Sequence, residues 1–189
     1  MLGAVLSASQ PPQFSNTVRG FIKHPEPEIV LTNARIIDGE GRPPSENMTL
    51  VIRNGVIAEI AGGGAKVNAS PDATTIDLTG KTVLPGLVMF HEHLYYPTGG
   101  GVYGQFGASF SRLYLAGGVT TMRTGGNVNG IMDIKLKQEI DAGRQAGPDI
   151  DATAPYLNGP NAFLQMHNLK DPEDARRQVD YWMDMGATS

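Results

Sequence analysis

The sequence predicts an α/β fold, the first three strand–helix units of a partial (β/α)8 barrel preceded by a small antiparallel β layer. Three observations support this. From Glu28 to Pro85, short β-rich runs alternate with turn residues and no helical period appears. From Gly86 onward, apolar strand-like runs alternate with runs of helical apolar spacing, which implies right-handed crossovers and a parallel sheet. That second stretch holds less than half of the roughly 250 residues a complete barrel takes.

The β layer opens with Ile29-Val30-Leu31 and continues through Ala34-Arg35-Ile36-Ile37. Asp38-Gly39-Glu40-Gly41 and Pro43-Pro44 are turn chemistry. Leu50 to Arg53 and Val56 to Ile60 flank Asn54-Gly55, a strong hairpin signal, because a type I′ turn needs positive φ at both central residues. Thr74 to Leu78 and Lys81 to Leu84 read as a further short pair. Residues 28–85 are thus expected to be a small β domain, residues 1–27 a leader and linker, and residues 86–189 the N-terminal part of a barrel domain.

In that last part the first strand is Leu87 to His93. Phe106, Phe110 and Leu113 mark a helix ending at Gly117-Gly118. Val119 to Arg123 is the second strand. Met132, Leu136 and Ile140 give the next helix an apolar stripe, stopped by Gly143. Ile150 to Tyr156 is the third strand. Asp171-Pro172 starts a third helix, with Asp as N-cap and Pro at the first position, and Ala175, Val179, Trp182 and Met183 as its expected buried face. Gly99-Gly100-Gly101 and Gly104 read as a flexible loop, and no phosphate cradle is expected there because no Gly-Lys-Ser/Thr follows.

Composition narrows the function. The 15 basic and 19 acidic residues give a net charge of −4, which argues against a nucleic-acid surface. There is no cysteine, so disulfides and thiolate ligands are excluded. No apolar run approaches the roughly 18 residues of a membrane span. Leu2 to Leu6 with Ser7-Ala8-Ser9 resembles the remnant of an export signal, which would make the protein periplasmic or secreted. The absence of a charged n-region leaves a plain leader, and a cytoplasmic protein, as the alternative.

The residues with the clearest chemistry are His91 and His93. On a strand, side chains at i and i+2 point the same way and Glu92 points the other. Two imidazoles at a C-terminal strand end are half of a site for a late divalent metal such as zinc. That end is where barrel active sites form. Tyr95, Tyr96 and Tyr103 follow and are candidates to line a pocket. His167, in the loop after the third strand, is a candidate substrate contact.

The run Val83-Leu84-Pro85-Gly86-Leu87-Val88-Met89-Phe90-His91-Glu92-His93 resembles the metal-binding signature of the amidohydrolase superfamily. Leu31 to Gly39 and Ile52 to Ile60 resemble its N-terminal β layer, and Gly117 to Arg123 its second barrel strand. The resemblance covers residues 28–189 and is to the imidazolonepropionase-like and Xaa-Pro dipeptidase-like branch. It implies that the His-x-His pair binds one metal of a mono- or binuclear centre. It further implies a bridging carboxylated lysine or glutamate on the fourth strand, histidines on the fifth and sixth, and an aspartate general base on the eighth. The reaction implied is hydrolysis of an amide-type C–N bond in an N-acyl amino acid, dipeptide or cyclic amide. Only His91 and His93 can be carried over residue by residue; the catalytic base is unknown. Where many members have Arg-Asp after the second strand, this chain has Arg123-Thr124. With two ligands, the chain alone is expected to lack appreciable hydrolase activity. The alternative is a catalytically silent half-barrel that binds a partner, either a C-terminal half or a second copy.

Overall fold

The computed structural model describes residues 13–162 and 167–189. The stretch resembling an export signal lies outside them. The described chain divides into two compact units, one of residues 22–85 and the other of residues 13–21 with 86–189.

The first unit is a five-stranded sheet of β1 (Glu28–Ile36), β2 (Ser45–Arg53), β3 (Val56–Gly62), β4 (Thr74–Asp77) and β5 (Thr82–Val83). The β2–β3 hairpin turns at Asn54 and Gly55, whose φ values of 51° and 79° are those a type I′ turn requires. Val30, Ala34, Leu50 and Val51 are its buried apolar residues. The sheet is mixed, which corrects the expectation of an antiparallel layer. β1 pairs antiparallel with β2, but β4 and β5 both run parallel to β1 and do not pair with each other. The reason is the irregularity of β1 around Asn33, at φ 56°, which splits the strand into two pairing segments. The Asp77 carboxylate fixes that split, accepting from Asn33 Nδ2 at 2.9 Å and from the Thr79 amide at 3.0 Å.

In the second unit, α1 (Asn16–Arg19) is one helical turn, capped by Ser15, whose amide also donates to the Gly143 carbonyl at 2.9 Å. Then come β6 (Leu87–Glu92), the hairpin of β7 (Tyr95–Gly99) and β8 (Val102–Gln105), α2 (Gly107–Ala116), β9 (Val119–Thr124), α3 (Gly130–Asp141) and β10 (Asp149–Asp151). β6, β9 and β10 form a parallel sheet in chain order. A short parallel pair, β11 (Leu157–Asn158) and β12 (His167–Asn168), precedes α4 (Pro172–Asp184). Asp171 caps α4 by accepting from the Asp174 amide at 2.7 Å. Among the described residues no helix is long and apolar enough to cross a membrane.

Several sequence expectations are corrected. The glycine-rich stretch after Tyr95 is the turn of a hairpin, not a loose loop; Gly99, Gly100 and Gly101 all take positive φ. The third strand is three residues long, and beyond it the pairing with the chain after β9 returns only as the isolated Asn127–Pro155 bridge. The core of this unit is Leu94, Val119, Met122, Ile134, Leu136, Ile150, Ala152, Trp182 and Ala187. Thus Ile134 holds the place expected for Met132, which is exposed. Leu113, Val179 and Met183 are also exposed, on the rims of two open grooves.

Close packing at the start of α3 makes a test. A Cβ on Gly130 would lie 2.6 Å from Pro155 Cδ and 2.7 Å from Trp182 Cζ3. Both neighbours are rigid. Gly130→Ala is therefore expected to lower stability by about 1–3 kcal/mol in urea denaturation, although alanine is the better helix former. A stabilised variant would show that Trp182 yields.

Candidate metal centre

The centre is built from the C-terminal ends of β6 and β9. His91 lies in β6 and His93 just beyond it, with ring centroids 5.1 Å apart and planes at 90°. A bulge between Met89 and Glu92 breaks strict alternation here. Even so, Glu92 turns to the opposite side, where its Oε2 accepts from the Tyr114 hydroxyl at 2.6 Å. Burial and that carboxylate both push the Tyr114 hydroxyl upward in pKa. Glu92 is thereby committed to the helix side of the sheet.

The chain after β9 wraps the pair. The Gly125 amide donates to the Glu92 carbonyl at 2.8 Å. His93 Nδ1 lies 3.2 Å from the Gly126 carbonyl oxygen. In that bond Nδ1 is the donor, which leaves Nε2 with its lone pair, the usual arrangement of a metal-binding imidazole. Gly125 lies flat against His91, and a Cβ there would come within 2.5 Å of His91 Nε2. The loop is held from below by Thr153. Its Oγ1 accepts from the Gly126 amide at 2.8 Å and meets Thr124 Oγ1 at 3.0 Å. Thr124, which stands where many members of the resembled family have an acid, is fully buried in this neutral pair.

The other predicted site residues separate. Tyr95 is buried, with its ring 4.9 Å from that of His93 and its hydroxyl 2.9 Å from the Tyr156 hydroxyl. Tyr103 stacks edge-on against Tyr95 at 5.8 Å. Tyr96 points elsewhere, meeting Phe110 at 5.2 Å in an apolar groove of about 380 Å3 that contains neither histidine. His167 is joined to α4, with Nε2 2.8 Å from Asp174 Oδ2. The His167 side chain is the largest influence holding the Asp174 carboxyl down at about 2, followed by the Lys170 amide.

Sequence reasoning did not single out Gly125, Gly126 or Tyr156 as part of this site. The available signal was the Gly-Gly pair directly after β9, at the same strand ends as the histidines. Among the described residues no cluster of three or more His, Cys, Asp or Glu side chains could hold a metal. The donor set present is thus His91 and His93, two imidazoles whose chemistry suits a late divalent ion.

No protein-family profile matches the chain. It is 37% identical over 183 residues to an enamidase from Eubacterium barkeri, covering 81% of this chain and 46% of that protein. A dihydroorotase from Pelobacter propionicus is 32% identical over 121 residues, covering 63% of this chain and 27% of that one. The chain therefore spans less than half the length of these relatives. Among solved structures, one named as a candidate prolidase from Bifidobacterium longum superposes with a TM-score of 0.69 at 30% identity, covering 85% of this chain and 39% of that one. A Xaa-Pro dipeptidase with bound methionine superposes with a TM-score of 0.70 at 22% identity, covering 85% and 45%, and shares the fold. Sequence and fold likeness together relate this chain to enamidase, dihydroorotase and prolidase-like amidohydrolases, each matched over only part of its length.

Proposed function

We propose that this chain carries the first metal ligands of a metal-dependent hydrolase of amide-type C–N bonds, acting on an N-acyl amino acid, dipeptide or cyclic amide. The observation that carries the reading is the convergence of His91 and His93 against a loop cleared by Gly125. The relatives' names, enamidase and dihydroorotase, support a carbon–nitrogen substrate. In this reading β6, β9 and β10 are the first strands of the (β/α)8 barrel, and the remaining ligands and the general base come from sequence beyond this chain. His91 and His93 would hold a divalent ion, most simply zinc, which would supply an activated water and polarise the substrate carbonyl. The chain's own contribution is positional. His93 is fixed in one tautomer by the Gly126 carbonyl, and the Tyr95–Tyr156 pair braces the ring and loop behind it.

The exposed face of β6 favours a second reading. Val88 and Phe90 are 51% and 77% exposed, an apolar surface that a partner chain or second copy would cover. In that case the sheet is an interaction surface and the histidines are silent.

Two measurements test these readings. Zinc titration by calorimetry is expected to show binding that falls at least about tenfold in both His91→Ala and His93→Ala, as loss of a direct ligand should exceed the effect of losing its supporting contacts. A polypeptide extended along its reading frame past Ser189 and loaded with zinc should hydrolyse a panel of N-acyl amino acids and dipeptides, and His91→Ala should abolish turnover. Unchanged zinc affinity in both variants would sink the metal reading. An immediate stop codon, with a stable oligomer in solution, would leave the partner reading.

A further inference from the structure

A groove of about 410 Å3 opens beside His91. Its wall on one side is apolar, formed by Leu157 and by Val179, Trp182 and Met183. Among the described side chains that line it, Arg123 alone carries a fixed charge. Arg123 is the next-to-last residue of β9, two before the glycine that packs on His91.

The charge of Arg123 is only loosely paired inside the chain, with Asp151 on the neighbouring strand. Its side chain is 40% exposed, and its nearest carboxylate oxygen, Asp151 Oδ2, is 3.8 Å from Nε, beyond hydrogen-bond range. The other Asp151 oxygen accepts from the Thr188 hydroxyl instead. One guanidinium nitrogen donates to Ser189 Oγ at 2.7 Å, a neutral partner. A guanidinium has five N–H donors in a planar fork that matches a carboxylate. The fork, the apolar wall and the metal-ligand candidate thus border one groove.

We propose that Arg123 reads a carboxylate of the bound ligand, and that the ligand is an acylated amino acid with a free carboxylate and an apolar side chain seated towards Trp182. This rests on the amide-hydrolase reading for the amide group; the carboxylate and apolar contacts stand on the groove alone. Arg123 is a specificity residue in this account and takes no part in bond cleavage.

Trp182 is the sequence's single tryptophan, so its emission reports on the groove. The test is a fluorescence titration of the metal-free chain with N-acetyl-leucine and with its uncharged carboxamide. The carboxylate is expected to bind about tenfold more tightly, as a charge-assisted hydrogen-bonded pair should. Arg123→Gln should remove the preference, and Arg123→Lys, which keeps the charge without the fork, should retain part of it. Circular dichroism of both variants should match the parent. Equal binding of the two ligands, no saturable change with either, or a preference that survives in Arg123→Gln would each overturn the proposal. The two readings fail separately. A carboxylate preference without zinc binding at His91 and His93 sinks the hydrolase reading alone, and zinc binding without a preference sinks the role of Arg123 alone.

Discussion

Asp133→Asn is expected to stabilise the protein at pH 8 by as much as on the order of 4 kcal/mol, and hardly at all at pH 4. Asp133 lies in the first turn of α3 and is 1% exposed. Neither carboxylate oxygen has a hydrogen bond of ordinary length. Burial pushes its pKa from 3.8 up to about 7, and the neighbouring Asn127 side chain, which favours the charged form, offsets only part of this. The sign follows from proton counting. Below about pH 4 the group is protonated in both the folded and the unfolded chain and costs nothing. Between about pH 4 and 7 the unfolded chain releases the proton while the folded one keeps it, so stability falls as pH rises. Above about 7 the penalty is complete and constant. The substitution removes the titration while keeping a side chain of nearly the same size and shape. Urea denaturation of both proteins across this range checks it. A stability difference that does not change between pH 4 and 8 would show that water or a counter-charge reaches Asp133.

The parts of this molecule that could be read from sequence are those set by local chemistry. Asn54-Gly55 defines its hairpin because few other dipeptides tolerate two successive positive φ values. Asp171-Pro172 marks the start of α4 because capping and a fixed φ act within one turn. His91 and His93 stood out because strand alternation alone puts them side by side. What could not be read depends on distant partners. Nothing local says that β4 and β5 both choose β1, because the choice is made at the Asn33 irregularity and its bond to Asp77. The β7–β8 hairpin was hidden because Pro97 and the glycines mask any alternating pattern, and only the antiparallel pairing of Tyr95 with Gln105 reveals it. The apolar stripes of α2 and α4 were visible, but periodicity reports which face is apolar, not which face is covered. Leu113, Val179 and Met183 belong to such faces and line grooves. Nothing in the sequence marks Asp133 as buried, for the same reason: its burial comes from neighbours that no short window of sequence contains.

Gly125→Ala is expected to weaken zinc binding by about 10–100-fold while leaving the fold intact, the size of effect seen when a supporting contact around a metal ligand is lost. The backbone does not forbid alanine, because Gly125 is absent from the positive-φ glycines that include its neighbour Gly126. The conflict is with one side chain. The added methyl would lie 2.5 Å from His91 Nε2 and 2.7 Å from both Cδ2 and Cε1, over the face of the ring at its Nε2 end. Either the imidazole swings away or the loop lifts, and lifting the loop breaks the Gly125 amide bond to Glu92 and shifts the Gly126 carbonyl that sets the tautomer of His93. Both outcomes spoil the pair, one through each histidine. Gly159→Ala is the matched control, since a Cβ at Gly159 meets nothing within 4 Å. Calorimetric zinc titration, with circular dichroism to confirm folding, separates the cases. If Gly125→Ala binds zinc as tightly as the parent chain, then His91 is not held by this loop, and the close approach of Gly125 has no bearing on metal binding.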